Sequence, residues 1–202
     1  MKVEVYAELC IRALGFNNNE RIEERDALGL ADIVRAKLLG DMLATGNQLT
    51  AEYYMKFHAK LETVKCKGFS FIYKPCDLLN LPRHGAYAYV GNGGIDNAYI
   101  PTTFPEIAAY ARLEAGQMGG RTQFIPEGDK IFFDYLPVPA PDEIELYLVP
   151  SLLWLYDHRD DEDLIGTDYL MCDVFEKVLQ LLQIRRATAV DNYNNASPTP
   201  NK

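Results

Sequence analysis

The stretch that decides the fold is residues 64–94, VKCKGFSFIYKPCDLLNLPRHGAYAYVGNGG. Val64, Cys66, Phe69, Phe71 and Tyr73 are interleaved with Lys65, Lys67, Ser70 and Lys74. A period of two sends successive side chains to opposite faces of a strand, and Gly68 reads as a bulge or turn within it. Pro75, Pro82 and Gly85 then punctuate the chain, Ala86 to Val90 reads as a second short strand, and Gly91-Asn92-Gly93-Gly94 as a turn. No acids, bases, thiols or metal ligands in this stretch have the spacing of a reaction centre.

The β-like pattern continues downstream. Ile95 to Phe104 reads as extended or irregular, and Pro105 suits the first turn of a short helix, Glu106 to Ala115, ended by Gly116. Thr122 to Ile125 and Lys130 to Tyr135 form a hairpin across Glu127-Gly128-Asp129. Pro137, Pro139 and Pro141 make a stiff connector, and Glu143 to Val149 alternates as a last strand.

Both flanks carry helical periodicity. Val3, Ala7, Cys10, Ile11 and Leu14 line a first helix, closed by Gly15 and a turn at Asn17 to Asn19. Glu20 to Ala44 is a longer one with Leu30, Ile33, Val34, Leu38 and Met42 as its stripe and a break at Gly29. Thr50 caps a third, in which Tyr53, Tyr54, Phe57 and Leu61 share a side. Beyond Pro150, Leu152 to Tyr156 is apolar. Thr167 then caps Asp168 to Arg186, with Leu170, Val174, Val178, Leu181 and Leu182 as the buried stripe. The remainder is asparagine-rich and too polar to pack alone, which predicts a disordered tail.

The expected fold class is therefore α+β: a helical bundle from both chain ends with an inserted β-rich domain and a flexible C-terminal tail. The expected division is residues 1–62 with 151–186 as the helical core domain, 63–150 as the inserted domain and 187–202 as the tail.

The chain has 202 residues, enough for one domain or for a domain with a sub-domain inserted into it. A net charge of -9 disfavours wrapping around nucleic acid, because phosphate binding is driven by Lys and Arg that release counterions. No run reaches the roughly 18 apolar residues of a membrane-spanning helix, and MKVEVYAEL does not read as a signal peptide. Cys10, Cys66, Cys76 and Cys172 are scattered among apolar neighbours without C-x-x-C spacing. They read as small buried hydrophobes made in a reducing cytoplasm, not as zinc ligands.

Each chemical motif has a plainer reading. His58, His84 and His158 lie far apart, with no partners at metal or triad spacing, and read as packing, turn and surface residues. The acidic run Asp157 to Asp163 puts Arg159 and Glu162 where a calcium loop needs an acid or amide and a glycine. Gly91 to Gly94 and Gly119-Gly120 match no phosphate-binding loop. Phe69, Phe71, Tyr73, Tyr87 and Tyr89 resemble a base-stacking platform, with Lys65, Lys67, Lys74 and Arg83 as a small positive patch. Net acidity favours a sheet core instead. The expectation is a protein with no catalytic residues, no metal and no cofactor.

The order of signals resembles the phage head-to-tail connector proteins, the neck adaptor or ring proteins of short-tailed phages, with crAss-like versions the nearest. Its carriers are the helical first third and the segment Tyr73-Lys74-Pro75 through Leu81-Pro82-Arg83-His84-Gly85-Ala86-Tyr87-Ala88-Tyr89-Val90. The strand pair from Thr122 to Phe133, the strand Ile144 to Val149 and the C-terminal amphipathic helix follow in order. The resemblance implies a non-enzymatic virion structural protein, assembled in the host cytoplasm as a homo-oligomeric ring of about a dozen copies closed by heterologous contacts. Such a ring binds the portal protein on one side and other tail or neck ring proteins on the other. Genomic DNA passes through its lumen without specific binding, and no membrane is involved. The alternative is a small-molecule or single-stranded nucleic-acid binding module that uses the aromatic sheet face.

Overall fold

The computed structural model describes residues 2–13, 24–63, 70–93, 97–106, 122–134, 136–158 and 168–195. It falls into two compact units, Met1–Thr45 with Ser151–Lys202 and Gly46–Pro150.

In the first unit, α1 (Val3–Ala13) buries Val3, Tyr6, Ala7 and Cys10. The face that α2 (Glu24–Ala44) buries is not the predicted one: it is Ala27, Leu28, Ala31, Val34, Arg35 and Leu39, while Ile33 is 66% exposed. Alanines at 27 and 31 let neighbouring helices approach closely, and the larger Leu30, Leu38 and Met42 are left half-buried at the flanks. The helix runs unbroken through Gly29, where a Cβ would meet only Leu153 Cδ1 at 3.9 Å. Next come α3 (Leu152–His158) and α4 (Asp168–Asn195). In α4 the buried side chains are Leu170, Met171, Val174, Val178 and Leu182, whereas Leu181 is exposed.

Two sheets make up the second unit. One has the order β1-β8-β4, with β1 (Met55–Lys60), β8 (Glu143–Leu148) and β4 (Tyr87–Gly91), all antiparallel. The other has the order β2-β3-β7-β6-β5: β2 (Glu62–Thr63), β3 (Ser70–Tyr73), β7 (Lys130–Asp134), β6 (Gln123–Glu127) and β5 (Ile100–Pro101). Only β5 is parallel to its neighbour. The predicted hairpin is present as β6–β7: Glu127 pairs with Lys130 across Gly128-Asp129, with φ +57° at Gly128. The core combines Phe57, Val90, Ile144, Leu146 and Leu148 with Ile72, Phe124, Ile131 and Phe133. Ring pairs Tyr87–Phe124 (5.5 Å) and Tyr99–Phe133 (5.9 Å) reinforce it. Each such apolar side chain contributes about 1.5–3 kcal/mol on full burial.

The expectation of a helical bundle from both chain ends with an inserted β-rich domain and a flexible tail is overturned. The protein is mixed α/β around a two-sheet β core. The third predicted helix is instead a short 3-10 turn, Ala51–Tyr53, followed by β1. Tyr53, Phe57 and Leu61 fit a helical period, but Met55, Phe57 and Ala59 fit a period of two equally well. Pairing with β8 decides between them, setting Phe57 against Leu146, His58 against Glu145 and Lys60 against Glu143. Nor is the tail irregular from residue 187, for α4 continues to Asn195. From Asp168 to Asn195 there is no Gly or Pro to stop it. The helix predicted over 106–115 lies outside the described residues beyond its first turn, as do residues 64–69.

Candidate functional site

The outer face of the β1-β8-β4 sheet carries a stack of tyrosines. Register places Lys56, Tyr147 and Tyr89 in one row, and His58, Glu145 and Gly91 in the next. Tyr54, just before β1, stacks on Tyr147 with ring centroids 5.3 Å apart and planes 9° from parallel; Tyr147 in turn lies 5.1 Å from Tyr89. The Lys56 ammonium sits 5.6 Å over the Tyr147 ring and forms an ion pair with Glu145, which also accepts a hydrogen bond from the Tyr147 hydroxyl at 2.8 Å. The Lys56 ammonium holds the Glu145 carboxyl below the usual range, Glu145 raises Lys56, and the Tyr147 phenol is raised by its bond to Glu145. With every charge in the row already matched, this face can offer aromatic edges and faces to a partner, but no free base.

Glycine at position 91 is a condition of that stack. A Cβ there would lie 2.4 Å from the Tyr89 hydroxyl oxygen and 2.5 Å from the Asn97 carbonyl oxygen.

The aromatic set singled out in the sequence does not form one platform. Phe71 and Tyr73 stand on β3 in the five-stranded sheet, where the Lys130 ammonium lies 4.7 Å and 5.2 Å from their ring centres. Tyr87 and Tyr89 are on the other sheet, and an irregularity between them puts them on opposite faces: Tyr87 pairs with Leu148, Tyr89 with Tyr147. Phe69 lies outside the described residues. Within the small positive patch, Lys65 and Lys67 also fall outside them, Lys74 donates to the Gly128 carbonyl, and Arg83 is exposed on a turn.

His58 is exposed on β1, not on a helix, and His84 occupies the turn Pro82–His84. His158 ends α3, its ring stacked 5.0 Å from Trp154. The burial reading holds for Cys10 and Cys76, whereas Cys172 is exposed; Cys66 is outside the described residues. Burial pushes the Cys10 thiol up to about 11, away from thiolate chemistry. Asp157 is engaged by both guanidinium nitrogens of Arg25, at 2.5 and 3.0 Å, and residues 159–163 of the acidic run are outside the described set.

Sequence reasoning missed the polar cluster between the helices. Asp32 accepts hydrogen bonds from the Leu152 N–H at 2.9 Å and the Leu153 N–H at 3.3 Å, so a carboxylate on α2 caps α3. Ser151 adds its hydroxyl to the Trp154 N–H. Arg35, fully buried one turn along, lies 3.9 Å from Asp32. Burial lowers Arg35 to about 10 and raises Asp32, the neighbouring opposite charge opposing both shifts. No local signal marks these two, since an Asp-x-x-Arg pair on a helix reads as an exposed one.

The helices also present apolar side chains outward. Val5 (46% exposed) and Leu9 (42%) are one turn apart on α1, opposite its buried face; Ile33 on α2 and Tyr169 on α4 are more exposed still. Among the described residues no helix is long and apolar enough to cross a membrane, and no three His, Cys, Asp or Glu residues are grouped to hold a metal ion. The chain matches no family model and no curated protein.

Proposed function

We propose that the protein is a non-enzymatic virion structural protein, a subunit of a head-to-tail connector ring in the neck of a short-tailed, crAss-like phage. One observation carries the reading. Val5, Leu9, Ile33 and Tyr169 stand outward on three helices of one unit, as on chains that self-associate. The order of sequence signals adds the resemblance to connector proteins. Net charge of -9 suits a lumen that lets genomic DNA pass without gripping it. Neighbouring copies meet through heterologous contacts that close by rotation. The portal protein binds one side and other tail or neck rings the other, after assembly in the host cytoplasm.

The test is negative-stain imaging and sedimentation of the purified chain, alone and mixed with a portal protein. Closed rings in either sample support the reading, and monomers in both overturn it. The double variant V5K/L9K should shift the population toward monomer with little change in melting temperature, because both side chains are already in solvent. If it sediments like the wild type, the α1 surface is not the contact.

A further inference from the structure

A turn with positive φ at both central residues is normally filled by Asn-Gly or Gly-Gly, because a Cβ crowds the backbone in that conformation. The turn Pro82–Gly85 has this shape. Arg83 sits at φ 51° and ψ 43°, His84 at φ 58°, and the Gly85 N–H closes the turn on the Pro82 carbonyl at 2.9 Å. Neither central residue is one that the backbone selects.

The conformation is imposed from outside the turn. The Leu79 N–H donates to the Val149 carbonyl, and the Val149 N–H donates to the Ala86 carbonyl, each at 2.9 Å. Both ends of the loop are thus pinned to one residue at the end of β8, and Leu79, Leu81 and Ala86 are buried beneath it. Above this base Arg83 is exposed, and its guanidinium makes no ion pair or hydrogen bond among the described residues. The His84 ring stands edge-on to Tyr87 at 6.4 Å. Glu106, the carboxylate that feels the field of His84, is occupied by the Thr102 and Thr103 hydroxyls and the Thr103 N–H. A strained backbone on a rigid base is therefore holding a free cation outward, and strain of this kind is retained where a contact needs it.

The geometry points to Arg83 and His84 as a contact site for a carboxylate-bearing segment of a partner protein chain. A guanidinium fork matches a carboxylate in two parallel hydrogen bonds. Nucleic-acid phosphate is the poorer occupant, given a net charge of -9. Each copy of this chain carries 29 Asp and Glu residues, so a second copy and a different acidic protein share the recognising chemistry. The inference does not depend on the ring reading.

The experiment follows binding of a fluorescein-labelled hexaglutamate peptide to the full chain by anisotropy, with R83Q, R83N/H84G and, as a control for an exposed cation elsewhere, K60Q. R83Q should weaken binding about tenfold, the scale of a charge-assisted hydrogen bond lost, and K60Q should leave it unchanged. R83N/H84G, which gives the turn its preferred residues, should melt higher than the wild type while binding as poorly as R83Q. Absence of binding to the wild type overturns the inference, as does an equal loss in K60Q or a lower melting point for R83N/H84G. Displacement of the peptide by inorganic pyrophosphate at lower concentration than by glutarate reassigns the turn to phosphate and also overturns it. Sedimentation of the wild type against R83Q separates the two sources: self-association lost in R83Q names a second copy, and peptide binding without self-association names a different acidic chain.

Discussion

Glycines 29 and 91 look alike in the sequence and have opposite roles. At Gly29 the helical backbone is ordinary and the space for a methyl is open, so G29A should raise stability by about 1 kcal/mol, the difference in helix propensity. At Gly91 a methyl would overlap the Tyr89 hydroxyl and the Asn97 carbonyl. G91A should cost about 1–3 kcal/mol, as overpacking does. Denaturant titration of the two variants reads both signs, and a neutral G91A would mean that the tyrosine stack is not closed over the backbone. Asp32 is a third informative residue. Replacing it with alanine strips the acceptor from two α3 N–H groups and leaves buried Arg35 without its nearest anion, a loss of about 3 kcal/mol. Because burial raises the Asp32 carboxyl, the folded state holds that proton more tightly than the unfolded chain. Its contribution to stability therefore falls as pH rises through the folded value. D32N keeps an acceptor but has no charge to bury, so it should gain on the wild type as pH increases. A pH-independent difference between the two would refute the buried-carboxylate account.

At the scale of elements, Thr103 and Glu106 form a reciprocal cap over the first helical turn at 104–106. The Thr103 N–H donates to Glu106 Oε2 at 2.9 Å, and the Glu106 N–H donates to Thr103 Oγ1 at 3.4 Å. Pro105 within that turn was the readable sign of a helix start, and Thr103 with Glu106 completes the capping-box pattern. The Thr103 hydroxyl and N–H hold the Glu106 carboxyl below the usual range. Its stabilisation is thus present above the ordinary glutamate value and lost as pH falls through the lowered one. T103A should cost about 1 kcal/mol and shift the Glu106 titration, followed by carboxyl-resolved NMR, back toward the ordinary value. At the other end of the chain α4 extends through residues 187–195. Truncation after Arg186 should therefore reduce helical circular dichroism; an unchanged signal would restore the disordered-tail reading. Its polar composition pointed to disorder, but composition reports only on burial, and a helix without glycine or proline can continue past the last residue it buries.

For the whole molecule, the division at residues 45–46 and 150–151 implies that the β unit carries its own core. A chain of residues 46–150 should express as a β-rich species with one cooperative unfolding transition. Unfolded or molten material would show that its two sheets need the helices. Coupling between sites is expected only within a unit. G91A should thus leave the pH dependence assigned to Asp32 intact, and additivity in the double variant G91A/D32N checks this.

The sequence by itself determined those elements whose period could be read without a partner. These are α1 and α2 up to their rotation, the hairpin at Gly128-Asp129, the alternation of β8, and the onset of α4. Local propensity and turn chemistry suffice there, because the neighbours that decide each conformation are a few residues away. Only the tertiary structure decided that residues 55–60 form a strand, since their apolar positions fit both periods and β8, more than eighty residues later, supplies the pairing. It also decided that Tyr87 and Tyr89 face opposite ways, that Lys56 and Glu145 meet across Tyr147, and that an i,i+3 pair at Asp32 and Arg35 is buried. Each of these depends on register or on helix rotation. One residue of slip in a strand, or a quarter turn of a helix, reverses which side chains meet, and nothing local in the chain selects between the alternatives.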